Sequence, residues 1–148
     1  MKKKVVILVL FLIVFSLAIF FVSKKNEFEK NYSVKCDLVS VIKDKKELDK
    51  IYNTKSTIIF IGNNKTLSVD YAKALKKVSS DYNKEFYYYS LHNGSIKIKG
   101  KKYSVPVVIG KDNKKVEETV TSKTNVKKNI DNLFLDVTSG SCDKDSNC

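Results

Sequence analysis

The strongest constraint on the fold is a strand–helix–strand unit in the middle of the chain. An apolar, β-branched stretch at residues 56–61 ends at Gly62 and two asparagines, a composition typical of a turn. From residue 66 to residue 82 apolar side chains recur with the period of a helix, and residues 85–91 return as an aromatic strand. A helix that connects two strands of one sheet forms a right-handed crossover, which makes the strands parallel. The sequence therefore predicts an α/β protein.

Shorter elements flank this unit on both sides. Upstream, residues 36–42 are a predicted strand and residues 44–52 a short helix with one apolar stripe. Downstream, an apolar strand at residues 107–109 pairs back with residues 115–120 through a lysine-rich turn, and a helix at residues 124–137 follows. The expected fold class is α/β, with a mixed β-sheet flanked by helices.

This order of elements resembles the thioredoxin-like superfamily over residues 38–137. The resemblance also rests on the strand end Phe60-Ile61-Gly62 and on Val105-Pro106 placed before an apolar strand. The chain looks most like the membrane-anchored proteins of this type in low-GC Gram-positive bacteria, which include bacteriocin-transport-accessory proteins. The resemblance implies a cis peptide bond before Pro106. It also implies a groove between residues 63–68 and Val105-Pro106, where the backbone pairs with an extended peptide.

The chain departs from that family because it lacks the C-x-x-C motif. Depending on a shift of one residue, the positions of the motif fall on Lys65 and Ser68 or on Thr66 and Val69. Disulfide exchange needs a thiolate, and none of these four side chains supplies one at neutral pH. We therefore predict no catalytic residue, cofactor or metal at this position. Thr66 and Ser68 are interpreted as helix-capping residues.

Residues 92–102 are a second departure, because they are too short and too strand-like for the family's third helix. The alternation of apolar and basic residues at positions 96–99 predicts a hairpin arm or a short edge strand. The lysines here form either a basic binding face or a charged edge that blocks sheet-to-sheet aggregation. They are Lys97, Lys99, Lys101 and Lys102. His92, the only histidine, is interpreted as a loop residue.

An N-terminal apolar run predicts that the chain is anchored in a membrane. After the lysine-rich residues 1–4, residues 5–22 as a helix extend about 27 Å, close to the roughly 30 Å hydrocarbon core of a bilayer. The leading lysines favour a single-pass signal anchor with a cytoplasmic N-terminus and an extracytoplasmic domain. The small residues of Ser16-Leu17-Ala18 leave a cleaved signal peptide, and hence secretion, as the alternative. Residues 23–35 are then a polar stalk and residues 36–138 the folded domain.

The three cysteines lie away from the position of the missing motif. Cys142 and Cys148 belong to a small, polar tail at residues 139–148, where a disulfide between them would close a short loop. Cys36 is an alternative partner for either of them. A thiol-disulfide oxidoreductase or redox accessory protein that uses these cysteines is the alternative function. No metal site is predicted.

The charge of the chain indicates which partners suit it. All 28 basic residues are lysines, and arginine is the better residue for planar phosphate recognition, so no specific nucleic-acid binding is predicted. From residue 24 onward, the 25 remaining lysines exceed the 16 acidic residues by about nine, which fits weak binding to anionic wall polymers or lipid. The expected function is binding of a peptide or protein partner at the cell surface or export machinery, without redox activity.

Overall fold

The structure is a computed structural model that describes residues 6–9, 11–13, 27–54, 56–92, 94–112 and 117–139. Residues 6–9, 11–13 and 27–32 are helical. The elements that follow are, in chain order, β1 (Val39–Val41), α1 (Lys45–Tyr52), β2 (Thr57–Gly62), α2 (Thr66–Tyr82), β3 (Phe86–Ser90), β4 (Ser95–Ile98), β5 (Lys101–Ser104), β6 (Val107–Lys111), β7 (Glu117–Val120) and α3 (Val126–Ser139).

A five-stranded mixed sheet in the order β1–β3–β2–β6–β7 forms the centre of the fold. The first three strands in this order are parallel, whereas β6 runs antiparallel to β2 and β7 antiparallel to β6. The central strand β2 is buried along its whole length, because both faces of the sheet are covered there. The predicted class, a mixed sheet flanked by helices, is confirmed.

The sheet separates two hydrophobic cores. On one face, α2, α3 and the helical segment 27–32 cover Phe60, Phe86 and Tyr88. On the other face, α1 and the strands β4 and β5 cover Ile59 and Ile61. Neighbouring residues of β2 contribute to opposite cores, because successive side chains of a strand point to opposite faces.

Strands β4 and β5 form a separate antiparallel hairpin, which confirms the hairpin arm predicted at residues 96–99. Ile98 and Tyr103 are buried against the second core, and this contact fixes which side of the hairpin faces the sheet. The turn contains Lys99 and Gly100, both with positive φ (48° and 83°), a backbone region that glycine adopts most readily.

The segment before β1 differs from its predicted role as a polar stalk. Phe28 and Tyr32 are one helical turn apart, and both are buried. The ring centroid of Phe28 lies 5.6 Å from that of Phe86 and 5.2 Å from that of Tyr88. Val34 is buried as well. The stalk predicted at residues 23–35 is therefore wrong over residues 27–35, since these residues complete the core beside α2 and α3.

Several predicted segments fall outside the described residues. These are residues 1–4, most of the anchor predicted at residues 5–22, residues 23–26, and the tail from residue 140, with Cys142 and Cys148. Among the residues that are described, no helix has the length and apolar character needed to cross a membrane. The prediction that the tail begins at residue 139 is wrong by one residue, because Ser139 is the last residue of α3.

The register of the sheet distinguishes its two ends. At one end of the sheet, Gly62 pairs with Ser90 and β6 begins; we call this end the Gly62 end. At the other, Thr57 pairs with Lys111; we call it the Thr57 end. Helix α2 begins just after β2, and Pro106 directly precedes β6. The residues predicted to form the site therefore come together at the Gly62 end.

Candidate functional site

The start of α2 forms one side of the site. Lys65 is the residue that precedes the helix; it is exposed, has an extended backbone and makes no side-chain capping bond. Asn63 Oδ1 accepts a hydrogen bond from the Lys65 backbone N–H at 3.1 Å, a bond that orders the turn just before α2 and does not cap the helix. The interpretation of Thr66 and Ser68 as capping residues is therefore wrong, because both lie within the first turn of α2.

Ser68 and Asn63 form a buried polar pair. The Ser68 hydroxyl donates to Asn63 Oδ1 at 2.9 Å and accepts from the Asn63 backbone N–H at 3.1 Å. Ser68 is fully buried and Asn63 nearly so. Because the hydroxyl both donates and accepts, its burial leaves no unpaired polar atom and carries little cost. The pair holds the β2–α2 turn in place.

Tyr32 closes the site on the side of the helical segment. Its hydroxyl accepts a hydrogen bond from the Tyr88 hydroxyl at 3.2 Å, and the Tyr88 hydroxyl accepts one from the Asn31 side-chain amide at 3.0 Å. Burial raises the pKa of Tyr32 well above its ordinary value, and Tyr88 raises that pKa further, so the hydroxyl stays protonated. A Cβ placed on Gly62 would lie 2.3 Å from the Tyr32 hydroxyl. Only glycine leaves room for this approach.

Val105 and Pro106 form the other side of the site. The peptide bond between them is cis, the isomer that the resemblance implied, and both residues are half-buried. The Val105 backbone N–H donates to the Gly94 carbonyl at 2.9 Å. Since that donor is already bonded, an extended peptide has only the Val105 carbonyl as a main-chain partner at this residue.

Half-buried apolar side chains adjoin Val105. Tyr89 and Leu91 come from the end of β3 and Ile96 from β4; all pack against the same core as Val105. The Leu91 backbone N–H donates to the Gly62 carbonyl at 2.9 Å, which fixes Leu91 at the Gly62 end. We call Tyr89, Leu91, Ile96 and Val105 the apolar rim. Among the described residues, the Tyr89 hydroxyl has no hydrogen-bond partner, so it is available to a ligand.

The other residues singled out from the sequence lie elsewhere or play minor parts. Val69 is half-buried and packs against the first core, and Thr66 and His92 are exposed. Cys36 is half-buried, with its Sγ 3.8 Å from the Ser79 hydroxyl near the end of α2. Within the described ranges Cys36 is a free thiol, and the predicted disulfide between Cys142 and Cys148 falls outside them. The described residues also contain no cluster of side chains that could hold a metal ion.

A second polar cluster, which the sequence reasoning missed, lies at the Thr57 end. Tyr52 of α1 and Tyr103 of β5 have hydroxyl oxygens 2.8 Å apart, and both hydroxyls donate to the Glu117 carboxylate of β7, that of Tyr103 at 2.8 Å. Lys101 Nζ donates to the same carboxylate at 2.5 Å. These residues are far apart in the sequence and share no motif, so no local signal could have grouped them.

The charges of this cluster are set by its hydrogen bonds. Burial by itself would raise the pKa of Glu117, but the hydrogen bonds from Lys101, Tyr52 and Tyr103 outweigh burial and hold that pKa below its ordinary value. Burial raises the pKa of Tyr103, and the bonds to Tyr52 and Glu117 raise it further. Near neutral pH the cluster is thus one carboxylate, one ammonium group and two protonated phenols, which join the hairpin to α1 and β7.

Two open cavities lie along α3. One of about 560 Å³ is lined by residues such as Asp81, Asn125 and Asp131, and another of about 460 Å³ by residues such as Glu118 and Asn132. Ligand pockets are mostly apolar and enclosed, with a few convergent polar groups. These open, polar hollows do not have that character.

No protein-family model matches the chain, and no curated protein has a matching sequence. What the chain does therefore has to follow from the chemistry of its own residues.

Proposed function

We propose that the chain is a thioredoxin-like protein without a thiol redox site, anchored in the cell membrane through residues 5–22. Its domain lies outside the cytoplasm and binds an extended peptide, or an extended segment of a partner protein. The binding surface is at the Gly62 end, between residues 63–68 and Val105-Pro106, and includes the apolar rim.

The arrangement of strands supports the proposed thioredoxin-like fold. The order β1–β3–β2–β6–β7 has three parallel strands followed by two antiparallel ones, and the crossovers run through α1 and α2. The cis bond before Pro106 lies at the Gly62 end, where α2 also begins. The hairpin β4–β5 occupies the chain position at which the family has its third helix.

The observation that carries the functional proposal is the Asn63–Ser68–Tyr32 group at the start of α2. Lys65 is exposed and Ser68 is buried three residues later, which favours these two residues as the positions of the missing motif over Thr66 and Val69. A hydroxyl and an amide cannot exchange disulfides. Asn63 and Ser68 bond to each other, Tyr32 bonds to Tyr88, and all three residues are buried, so the group serves as a rigid support beside the groove.

Binding would then depend on the apolar rim and on one main-chain acceptor. A peptide in an extended conformation presents alternate side chains to one side, which suits Tyr89, Leu91 and Val105. One of its N–H groups would donate to the Val105 carbonyl. The Tyr89 hydroxyl supplies a further polar contact beside apolar surface, a combination for which tyrosine is well suited.

Peptide binding tests this proposal directly. The probe is a pool of short peptides in which valine or leucine alternates with serine or threonine, added to the isotope-labelled full chain in a mild detergent. We expect amide shifts confined to residues 63–68, 89–96, 104, 105 and 107, since Pro106 has no amide N–H. Leu91→Asp should abolish them, because it places a charge in the apolar rim. Leu135→Asp is the matched control, since Leu135 is half exposed on α3 and should bind as the wild type does.

Shifts that are absent, or that survive Leu91→Asp, would show that the rim is not a peptide site. A thiol assay on the same preparation decides between the two functions. The proposal requires no turnover of a small disulfide by the wild type. Turnover that disappears in the Cys142→Ser, Cys148→Ser variant would instead establish the alternative oxidoreductase.

A further inference from the structure

The outer face of the hairpin β4–β5 carries lysines without acidic partners. Lys97 and Lys102 are direct cross-strand partners, and Lys99 lies in the turn; all three are exposed. Like charges directly opposite each other destabilise a strand pair. Among the described residues no carboxylate lies within 4.0 Å of these three lysines, whereas Lys101, beside them, pairs with Glu117. The stability of the hairpin therefore does not account for this arrangement.

Helices α1 and α2 carry acidic residues among their lysines. On α1, Lys45 pairs with Asp49 one turn further on, and on α2 Lys77 pairs with Asp81. The hairpin sequence from residue 95 to residue 104 contains four lysines and no acidic residue. A concentration of one sign of charge on one exposed face attracts ligands of the opposite sign.

The turn of the hairpin lies at the Thr57 end. Lys101, just after the turn, reaches Glu117, and Glu117 pairs with Lys111 at that end of the sheet. The open end of the hairpin is held at the Gly62 end by the bond from the Val105 N–H to the Gly94 carbonyl. The hairpin thus extends from the Gly62 end down to the Thr57 end, with Lys99 at its tip.

The chain enters the folded domain at the same end. Phe28 packs on Phe86, the first residue of β3, and on Tyr88, two residues further along that strand. Tyr32, at the other end of the segment, contacts Gly62. Residues 27–32 therefore run from the Thr57 end towards the Gly62 end. Only residues 23–26 separate this segment from the apolar run at residues 5–22.

We propose that Lys97, Lys99 and Lys102 dock on the anionic phospholipid surface of the membrane in which residues 5–22 are anchored. This inference rests on the anchor in the proposed function. The outer face of the hairpin then faces the bilayer, and its tip at the Thr57 end lies nearest the anchor. Lysines close to an anionic leaflet are each attracted to it, and three on one face fix an orientation.

Lysine acylation of the full chain in lipid nanodiscs tests the docking. Nanodiscs of neutral phosphatidylcholine are compared with nanodiscs that contain about one third phosphatidylglycerol, an anionic lipid. We expect acylation of Lys97, Lys99 and Lys102 to slow several-fold in the anionic discs, and to recover at about 0.5 M salt. Lys73 and Lys76 are the internal controls, because they are exposed on α2, on the other face of the sheet.

A charge variant sharpens the result. In Lys97→Gln, Lys102→Gln, most or all of the protection of Lys99 should be lost, since each lysine contributes separately to the attraction. Lys73→Gln, Lys76→Gln should leave the protection of Lys99 unchanged. Equal acylation in both kinds of disc would overturn the docking. Protection by soluble polyphosphate but not by anionic discs would also overturn it, in favour of a soluble polyanion.

The anchor and the docking can fail separately in this design. A chain that is not retained in the discs contradicts the anchor; the same acylation with anionic vesicles then still decides the docking. A chain that is retained but shows no lipid-dependent protection contradicts only the docking.

Discussion

The two polar clusters of this protein differ in charge and in location: one is neutral and lies within the core, and the other is charged and lies at the edge of the sheet. At the Gly62 end, Asn63, Ser68 and Tyr32 are uncharged and lie within the core; Asn63 and Ser68 bond to each other, and the Tyr32 hydroxyl accepts a bond from Tyr88. At the Thr57 end, Glu117 is charged and is held by Lys101 and two phenols at the edge of the sheet. The first cluster fixes the start of a helix, and the second fastens a hairpin.

The two clusters should respond differently to pH and to salt. A neutral, buried network has no group that titrates near neutral pH, so its contribution to stability should not depend on acid or salt. A carboxylate bonded to an exposed lysine depends on both, because protonation removes its charge and salt screens the pair. We therefore expect a constant support beneath the proposed groove and a pH-sensitive attachment of the hairpin.

The largest effect is expected from the Tyr32→Ala substitution. It removes a ring packed against Phe28, Phe60 and Tyr88. The loss should lower the free energy of unfolding by about 3–5 kcal/mol, measured by urea unfolding of the full chain in a mild detergent. Tyr32→Phe keeps the ring and should cost about 1–3 kcal/mol, because the Tyr88 hydroxyl loses its acceptor. If the urea midpoint of Tyr32→Ala equals that of the wild type, residues 27–35 do not contribute to the core and the predicted stalk is correct.

A smaller loss is expected from Gly62→Ala. The added Cβ would lie 2.3 Å from the Tyr32 hydroxyl and 2.6 Å from the Phe60 ring, an overlap that should cost about 1–3 kcal/mol. Gly94→Ala is the matched control; its Cβ meets nothing within 4 Å, so we expect a change within about 0.5 kcal/mol. In a Tyr32→Ala background the penalty at Gly62 should shrink, since the nearest atom is gone. Strict additivity of the two substitutions would contradict this contact.

The smallest effect, and the one that depends on pH, is expected from Glu117→Gln. At pH 7 the loss of the charged acceptor should cost about 1–2 kcal/mol. Because the pKa of Glu117 is lowered in the folded state, its contribution is present above the ordinary value of 4.5 and is lost as the pH falls through the lowered value. The difference in urea midpoint between wild type and variant should therefore vanish in acid. The difference in urea midpoint between wild type and Tyr32→Phe should stay constant over the same pH range. If both differences vanish in acid, the two clusters do not differ in their response to pH.

Local patterns in the sequence predicted the central elements but not what covers them. The apolar run before Gly62 and the helical period of α2 span enough residues to indicate their structure. Phe28 and Tyr32 have the spacing of one helical face, but their segment is short and most of its other residues are polar or charged, so composition indicated a stalk. The hydrogen bonds of Tyr52, Tyr103 and Glu117 join distant parts of the chain. They follow from the packing of the hairpin, which no local pattern encodes.

The same limit applies to the site. The absence of cysteines at residues 65–69 could be read from the sequence, as could the placement of Pro106. That Lys65 rather than Thr66 is the residue that precedes α2 depends on the backbone of a turn, which composition does not specify. That the Val105 N–H is already bonded depends on where the hairpin lies, and this leaves the Val105 carbonyl for the backbone pairing that the resemblance implied.

The burial of Phe28 has a mechanical consequence. A stalk would absorb a pull on the N-terminal part of the chain by stretching, because a slack linker resists extension only weakly. Here Phe28 is enclosed by Phe60, Phe86 and Tyr88, so tension applied before residue 27 would load the aromatic core itself. The first structural unit to yield would then be the contact between residues 27–32 and the sheet, and its release would expose the buried face of Tyr32 and the start of α2 together.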